Sequence, residues 1–340
     1  MPVYLYTYPM RTPFALTLIA LVIMLILSMA IGSVFISPVE LWQVVSGSAD
    51  NETFRTILLS IRLPRTILIA LVGAALAGSG AAYQGLFRNP LADPYLIGVA
   101  SGAGLGAILA MSIRWPYTML GLLAVPMAAF ITSLLTVYIV YTIAHIGGSV
   151  PTTNLILAGV AVSSFALSLT SFLMLRSSGE IRRAIGWLLG GVSLVSWDAT
   201  LVLIPYLAIG LGTLVLGGYA LNVMQFGDDQ ATQMGLNVRR AKFIIIVAAS
   251  LVTAAAVSFA GIIGFVGLIV PHIVRILWGV DYRRLIPLSI LSGASVLLIA
   301  DVLSRIVLAP QELPVGVVTA LAGAPFFLWV LRRAKNQGYW

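Results

Sequence analysis

The sequence predicts an all-α integral membrane protein of about ten transmembrane helices. Three observations carry that prediction. Of 340 residues, 60% are apolar and 9% charged, against about 25% charged in soluble domains. The mean hydropathy is +1.05. The apolar residues also fall into runs long enough to cross a bilayer, which takes roughly 20 residues each. A soluble fold could not hide that much apolar surface, and a disordered chain would carry far less of it.

The first run, Phe14–Val34, is longer than the apolar core of a signal peptide, so it reads as a retained first helix over 14–35. Nine more runs follow at 63–83, 95–113, 118–142, 153–175, 199–221, 241–262, 264–279, 285–307 and 315–332. Only Gly261 and Gly264 divide the seventh from the eighth, with no charge between, so short or re-entrant helices are the alternative there. The stretches 73-GAALAGSGAA-82 and 98-GVASGAGLGA-107 are dense in small residues, which lets helix backbones approach closely. Gly80 precedes Pro90, and Gly261 precedes Pro271, at the same spacing after Ala-rich helices. This is a weak echo of the two-halves pattern of transporters. The whole chain, 1–340, reads as one transmembrane domain.

Charge sets the expected orientation. With the N-terminus inside, the cytoplasmic face receives Arg11, Arg88, Arg239, Arg240, Lys242, Arg275, Arg283, Arg284, Arg332, Arg333 and Lys335. The outer face receives Arg55, Arg62, Arg65, Arg114, Arg176, Arg182, Arg183 and Arg305. Both termini are then cytoplasmic. The net charge of +8 fits anionic headgroups and outer acidic partners, and nucleic acid is not expected as a partner.

Catalytic chemistry finds no support. There is no cysteine, which removes disulfides, thiolate metal sites and cysteine nucleophiles. The zincin, serine-hydrolase and P-loop signatures are missing, so the chain should not hydrolyse nucleotide itself. His145 and His272 lie far apart; His272 reads as a hydrogen-bonded helix-end residue, with metal or heme ligation the minority alternative. A gradient-driven carrier usually needs a membrane-embedded ionisable group. Asp301 is within a span, but Arg305 follows one turn later at ion-pairing distance. The remaining acids, including Asp50, Asp93 and Glu180, fall almost entirely in expected loops. An ion-gradient-driven secondary transporter remains the competing function.

The connection 223-VMQFGDDQATQMGLNVRRAK-242 should hold one or two short helices outside the bilayer. Asp228 and Asp229 favour a helix N-terminus and Gly235 a C-terminus. So compact a loop fits a partner better than solvent.

Five segments together resemble the FecCD family of ABC-importer permeases. They are 62-RLPRTILIALVGAALAGSGAAYQGLFRNPLADPYLIGVASGAG-104, 228-DDQATQMGLN-237, 259-FAGIIGFVGLIVPHIVR-275, 293-GASVLLIADVLSR-305 and 312-ELPVGVVTALAGAPFFLWVLRR-333. The resemblance runs from Arg62 to Arg333 and implies the type II ABC-importer permease architecture. It implies two permease copies lining one pathway. It also implies two cytoplasmic ATP-binding subunits carrying ATP and Mg, and a periplasmic or lipid-anchored binding protein. No cofactor is expected on this chain, and the setting is a bacterial or archaeal cytoplasmic membrane. The cargo is a metal chelate: ferric siderophore first on family frequency, then cobalamin or heme.

Residue roles follow from the same resemblance. Gln230, Ala231, Met234, Gly235 and Leu236 correspond to the coupling helix that enters a cleft of the ATPase. Arg62, Arg65 and Arg305 resemble arginines that dock acids of the binding protein, with headgroup contact and the Asp301 pair as alternatives. From the residues themselves, the small, polar, proline-broken stretch puts Gln84, Asn89, Pro90 and Ser101 near a gate, against an ordinary cytoplasmic turn supported by Arg88 and Asp93. Thr152, Thr153 and Asn154 open the fifth span and read as a helix N-cap, with lining of the inner gate by Thr153 and Asn154 as the further expectation.

Overall fold

The computed structural model describes residues 11–32, 35–47, 52–113, 115, 118–147, 150–176, 181–192 and 196–335. Arg114, Asp50 and Glu180 lie outside the described residues. Every regular element described is helical. The order is α1 (Arg11–Ala30), α2 (Pro38–Ser46), α3 (Glu52–Thr56), a π-helical stretch Ile57–Arg62 and α4 (Leu63–Leu86). Then come α5 (Val99–Met111), α6 (Met119–Ala144), α7 (Thr152–Arg176), α8 (Ile181–Leu188) and α9 (Trp197–Leu216). The chain closes with α10 (Gly218–Met224), α11 (Asp228–Gln233), α12 (Val238–Ala260), α13 (Val266–Trp278), α14 (Tyr282–Ile306) and α15 (Val315–Lys335).

Each of the ten expected spans finds an apolar helix, but they are not equal. Among the described residues, seven helical stretches are long and apolar enough to cross a membrane: α1, α3–α4, α6, α7, α9, α12 and α14. The apolar parts of α5, α13 and α15 are shorter. At 13 residues, α5 and α13 reach about 20 Å, short of the roughly 30 Å hydrocarbon core. Irregular backbone precedes each: 87–98 before α5 and 261–265 before α13. The sixth span also ends early, at Leu216, and α10 turns off after Gly217.

Irregular backbone at membrane depth survives only where protein covers it and supplies hydrogen bonds. Tyr95, a residue of the first segment, does this for the second. Its hydroxyl donates to the Ile263 carbonyl (2.8 Å) and accepts from the Ile263 N–H (3.2 Å). Ala92, Ile97 and Ile263 around it are buried. The halves therefore do correspond, as a long helix, a break and a 13-residue helix in each. The glycine–proline echo does not mark that correspondence. Gly80 lies mid-helix with Pro90 beyond the helix, whereas Gly261 ends α12 and Pro271 lies inside α13.

The core is built around α4, which packs on α14, α12, α13 and α9. Its small residues from Gly73 to Ala82 are all buried. Gly73 meets Gly293 of α14 backbone to backbone, and Gly80 meets Gly267 of α13. Pro271 has no N–H, so the Gly267 carbonyl four residues back loses its helical partner. That carbonyl lies against Gly80, where any side chain would overlap it. A second layer is α5 packed on α6 and α7. Outward faces of α1, α7 and α9 expose Leu16, Ile19, Leu157, Phe165, Leu201 and Ile209, the apolar belt that hydrocarbon requires.

Candidate functional site

The two polar ends of the bundle differ in kind. At one end a cluster of charges is spent inside the chain. Asp301 is fully buried, with its carboxylate 3.0 Å from both Arg65 and Arg305. Arg65 also reaches Glu312 at 2.7 Å. Arg305 donates to the carbonyls of Ser28 (3.2 Å) and Ile31 (2.9 Å), and Arg62 to those of Met29 (2.7 Å) and Ala30 (3.1 Å). Those carbonyls lie at the C-terminal end of α1, where helical partners run out and cations are favoured. This corrects the expected surface placement of Arg62 and Arg305. Both are buried, capping α1, because an apolar helix end near the membrane cannot leave four carbonyls bare. Arg65 alone of the three reaches the surface, beside the half-exposed Glu312.

The other end carries α11, a short helix raised on its own mount. Gly227 in an extended positive-φ conformation leads in, and Asp228 and Asp229 fill the first turn. The exit is a Schellman turn. Gly235 (φ +87°) donates to Thr232 O at 2.9 Å, and Leu236 donates back to Ala231 O at 3.0 Å. Leu236 is half-buried and Ala231 fully buried, so this apolar pair pins the helix to the body. That corrects Ala231, which faces inward and offers a partner no surface. Gln230, Met234 and Gly235 are exposed, Met234 by 64%. Asp228 ties the mount down through Lys242 of α12, itself buried, and lies 3.8 Å from Arg88.

Beside α11 is an open cavity of about 570 Å³, lined by Gln84, Arg88, Asn89, Pro90, Gln225 and Arg275 among others. Arg88 adopts a left-handed conformation (φ +51°) as α4 ends. The Asn89 carboxamide accepts from Leu91 N at 2.9 Å and shapes the following turn. Gln84 lies at the base and is buried. Its amide donates to the Leu268 carbonyl (3.0 Å) and its oxygen accepts from Arg275 (3.0 Å). Arg275 also meets the Tyr282 hydroxyl at 3.3 Å. Gln84 thus ties α4 to α13, with both ends of its side chain engaged. Asp281 caps α14 and is held down to about 2 by hydrogen bonds from Arg283, with help from Asn222.

The structure brings Gln84, Asn89 and Pro90 to this cavity and leaves the other gate candidates apart from its described lining. Ser101 is buried between α5 and α7, donating to Ser163 at 3.1 Å. Thr153 is exposed and Asn154 half-buried in the first turn of α7. The sequence reading missed Asn222, Gln225, Arg275 and Tyr282. A run of polar residues at the ends of α10, α13 and α14 was the available signal.

Comparison with known proteins decides the family. The FecCD transport family matches residues 20–333. The chain belongs to the FecCD transport family. Relatives of this FecCD chain include the cobalamin import permease BtuC of Halobacterium salinarum, 46% identical over 83% of this chain and 74% of that protein. Another is the hemin transport permease HmuU of Yersinia pestis, 39% identical over 94% of this chain and 95% of that one. An ABC transporter permease of Bacillus subtilis, YvrB, is 42% identical over 85% and 82%. A solved structure described as an inward-facing metal-chelate type ABC transporter superposes with a TM-score of 0.82 at 27% identity, over 95% of this chain and 99% of that one. Members of the family are transport permease subunits, and this FecCD chain has their fold.

Proposed function

We propose that this chain is the membrane permease of an ATP-driven importer of metal chelates, paired with a second copy of itself around a central pathway. The observation that carries the reading is α11. Gln230, Met234 and Gly235 are displayed on a short helix whose base is locked by Ala231, Leu236 and the Asp228–Lys242 pair. A rigid exposed knob transmits force from a partner better than a loose loop does. The partner is an ATP-binding subunit, two per complex, which supplies ATP and Mg; this chain holds no cofactor of its own.

The α11 end is then cytoplasmic, in keeping with Arg88, Arg239, Arg240, Arg275, Arg283 and Arg284 clustering there. Both termini fall on that side, in a bacterial or archaeal inner membrane. The opposite end receives a substrate-binding protein at Arg65 and Glu312, with Arg62 and Arg305 acting from below as positioning residues. Gln84, Asn89 and Pro90 stand near the inner gate, and Thr153, Asn154 and Ser101 are assigned to the same pathway from the sequence reading alone. For cargo, ferric siderophore is the choice on family frequency. The names of the similar permeases move cobalamin and heme ahead of it. The test is co-purification from native membranes. Met234→Asp should lose a co-purifying ATPase that the unaltered chain retains, with the chain itself still monodisperse. Retention of the ATPase would sink the assignment of α11.

A further inference from the structure

The sequence gives no function to Arg239 and Arg240, and α11 does not use them. They lie at the start of α12, both exposed, and among the described residues neither pairs with a carboxylate. Across from them is the end of α6. Between the two helices is an open groove of about 710 Å³ whose described lining contains no acid.

The groove has two chemically distinct parts. Its polar mouth holds Arg239, Arg240 and His145, with the Arg239 guanidinium 3.5 Å from His145 Nε2. Asn237 already accepts from the Arg240 N–H (3.0 Å), so the guanidinium groups, and not the helix end, supply the charge. Its inner wall is aromatic: Tyr141 and Phe243 meet edge to face at 5.7 Å. Beyond this wall large apolar side chains and one tyrosine are exposed. Leu135 and Tyr138 continue along α6, and Ile244 and Val247 along α12, each at least 48% exposed. The helical spacing puts Tyr138 and Leu135 one and two turns deeper than Thr142, and Ile244 and Val247 one and two turns deeper than Arg240.

A soluble anion would use the mouth alone. A protein partner would not need an apolar track running into the hydrocarbon. An amphipath with a negative head uses both. The geometry points to a binding site for an anionic phospholipid at this face, its phosphate between Arg239 and Arg240, its glycerol region on Tyr141 and Phe243, and one acyl chain along α6 and α12. Basic pockets between helices at a membrane surface recognise such headgroups, and each cation near the surface contributes about fivefold in affinity. The site uses none of Gln230, Met234 and Gly235, the α11 residues offered to the ATPase, so it does not depend on which ATPase or cargo the permease serves.

The test is native mass spectrometry of the full-length chain, titrated with phosphatidylglycerol, with phosphatidylcholine and with inorganic phosphate. Phosphatidylglycerol should bind well above phosphatidylcholine. R239Q/R240Q should weaken it about 25-fold, R239K/R240K should keep most of it, and Arg284→Gln should leave it unchanged. Both arginines are exposed, so the fold should survive. If the double variant aggregates, the single variants, each about fivefold weaker, give the same reading. Equal binding of the two lipids would overturn the proposal. So would an unchanged double variant, or inorganic phosphate held as firmly as the lipid. Loss of a co-purifying ATPase with lipid binding intact would reassign the groove to a protein contact.

Discussion

Replacing Gly80 with alanine adds one methyl group where α4 and α13 touch. That methyl would lie 2.6 Å from the Gly267 carbonyl carbon and 2.7 Å from its Cα, and nearer still to the carbonyl oxygen. Ordinary contact begins at 3.4 Å, and every one of these atoms is backbone. No rotamer can relieve the clash, so α13 must retreat by roughly 1 Å, a gap that forfeits a quarter to a half of each dispersion contact across the interface. Overpacking of this kind costs about 1–3 kcal/mol, and rigid neighbours put it toward the top. Against that stands a helix-propensity gain of about 1 kcal/mol for Gly→Ala. The expected net loss is about 1–2 kcal/mol. Gly212 in α9 is the control, because a methyl there meets nothing within 4 Å. Gly212→Ala should be neutral or stabilising by up to about 1 kcal/mol. The assay is unfolding of the two variants side by side in the same detergent. Gly80→Ala as stable as Gly212→Ala would refute the packing argument.

Other outcomes follow from the same contacts. Asp301→Ala removes the only carboxylate paired with the buried Arg305 among the described residues, leaving Arg65 to Glu312, and should cost about 3–5 kcal/mol, read as loss of the monodisperse species on size exclusion. Glu312→Gln, at a half-exposed pair, should cost under about 1 kcal/mol in the same unfolding assay. Tyr95→Phe removes the hydroxyl that serves Ile263 twice and should destabilise by about 1–3 kcal/mol in thermal unfolding. Asp281 is held at about 2 against an ordinary 3.8, so its contribution is complete above pH 4 and fades as pH falls toward 2. Asp281→Asn should therefore flatten that part of the stability–pH curve, and an unchanged curve would remove Asp281 as its cause.

The sequence showed the spans because hydropathy is a local quantity. A run such as 14–35 or 241–262 declares itself without reference to neighbours. It left a short helix open at the Gly261–Gly264 break before α13, but it could not show that α5 is limited to 13 residues, because Tyr95 and Ile263 meet only once the chain is folded. The loop around α11 was legible for a similar reason. Asp228, Asp229 and Gly235 are local start and stop signals, and the turn they build is the one expected. Which side of that helix faces inward was not local, and Ala231 went to the wrong side. The arginines show the limit most clearly. Arg62 and Arg305 look like surface charge in a linear reading, yet their partners are carbonyls 33 and 277 residues away. Asp301 was read as ion-paired from the i, i+4 spacing. Its second partner, Arg65, was beyond any spacing rule.

The central claim is that this permease moves its cargo with energy from a separate ATPase engaged at α11. The direct measurement is uptake into proteoliposomes holding the chain with its ATPase and binding protein, with cobalamin and heme as cargoes. Uptake should require ATP inside the ATPase-facing compartment and should fall to background in Met234→Asp while the complex-free chain remains folded. Uptake by the chain alone, driven by a proton or sodium gradient without ATP, would contradict the account and make the protein a secondary carrier.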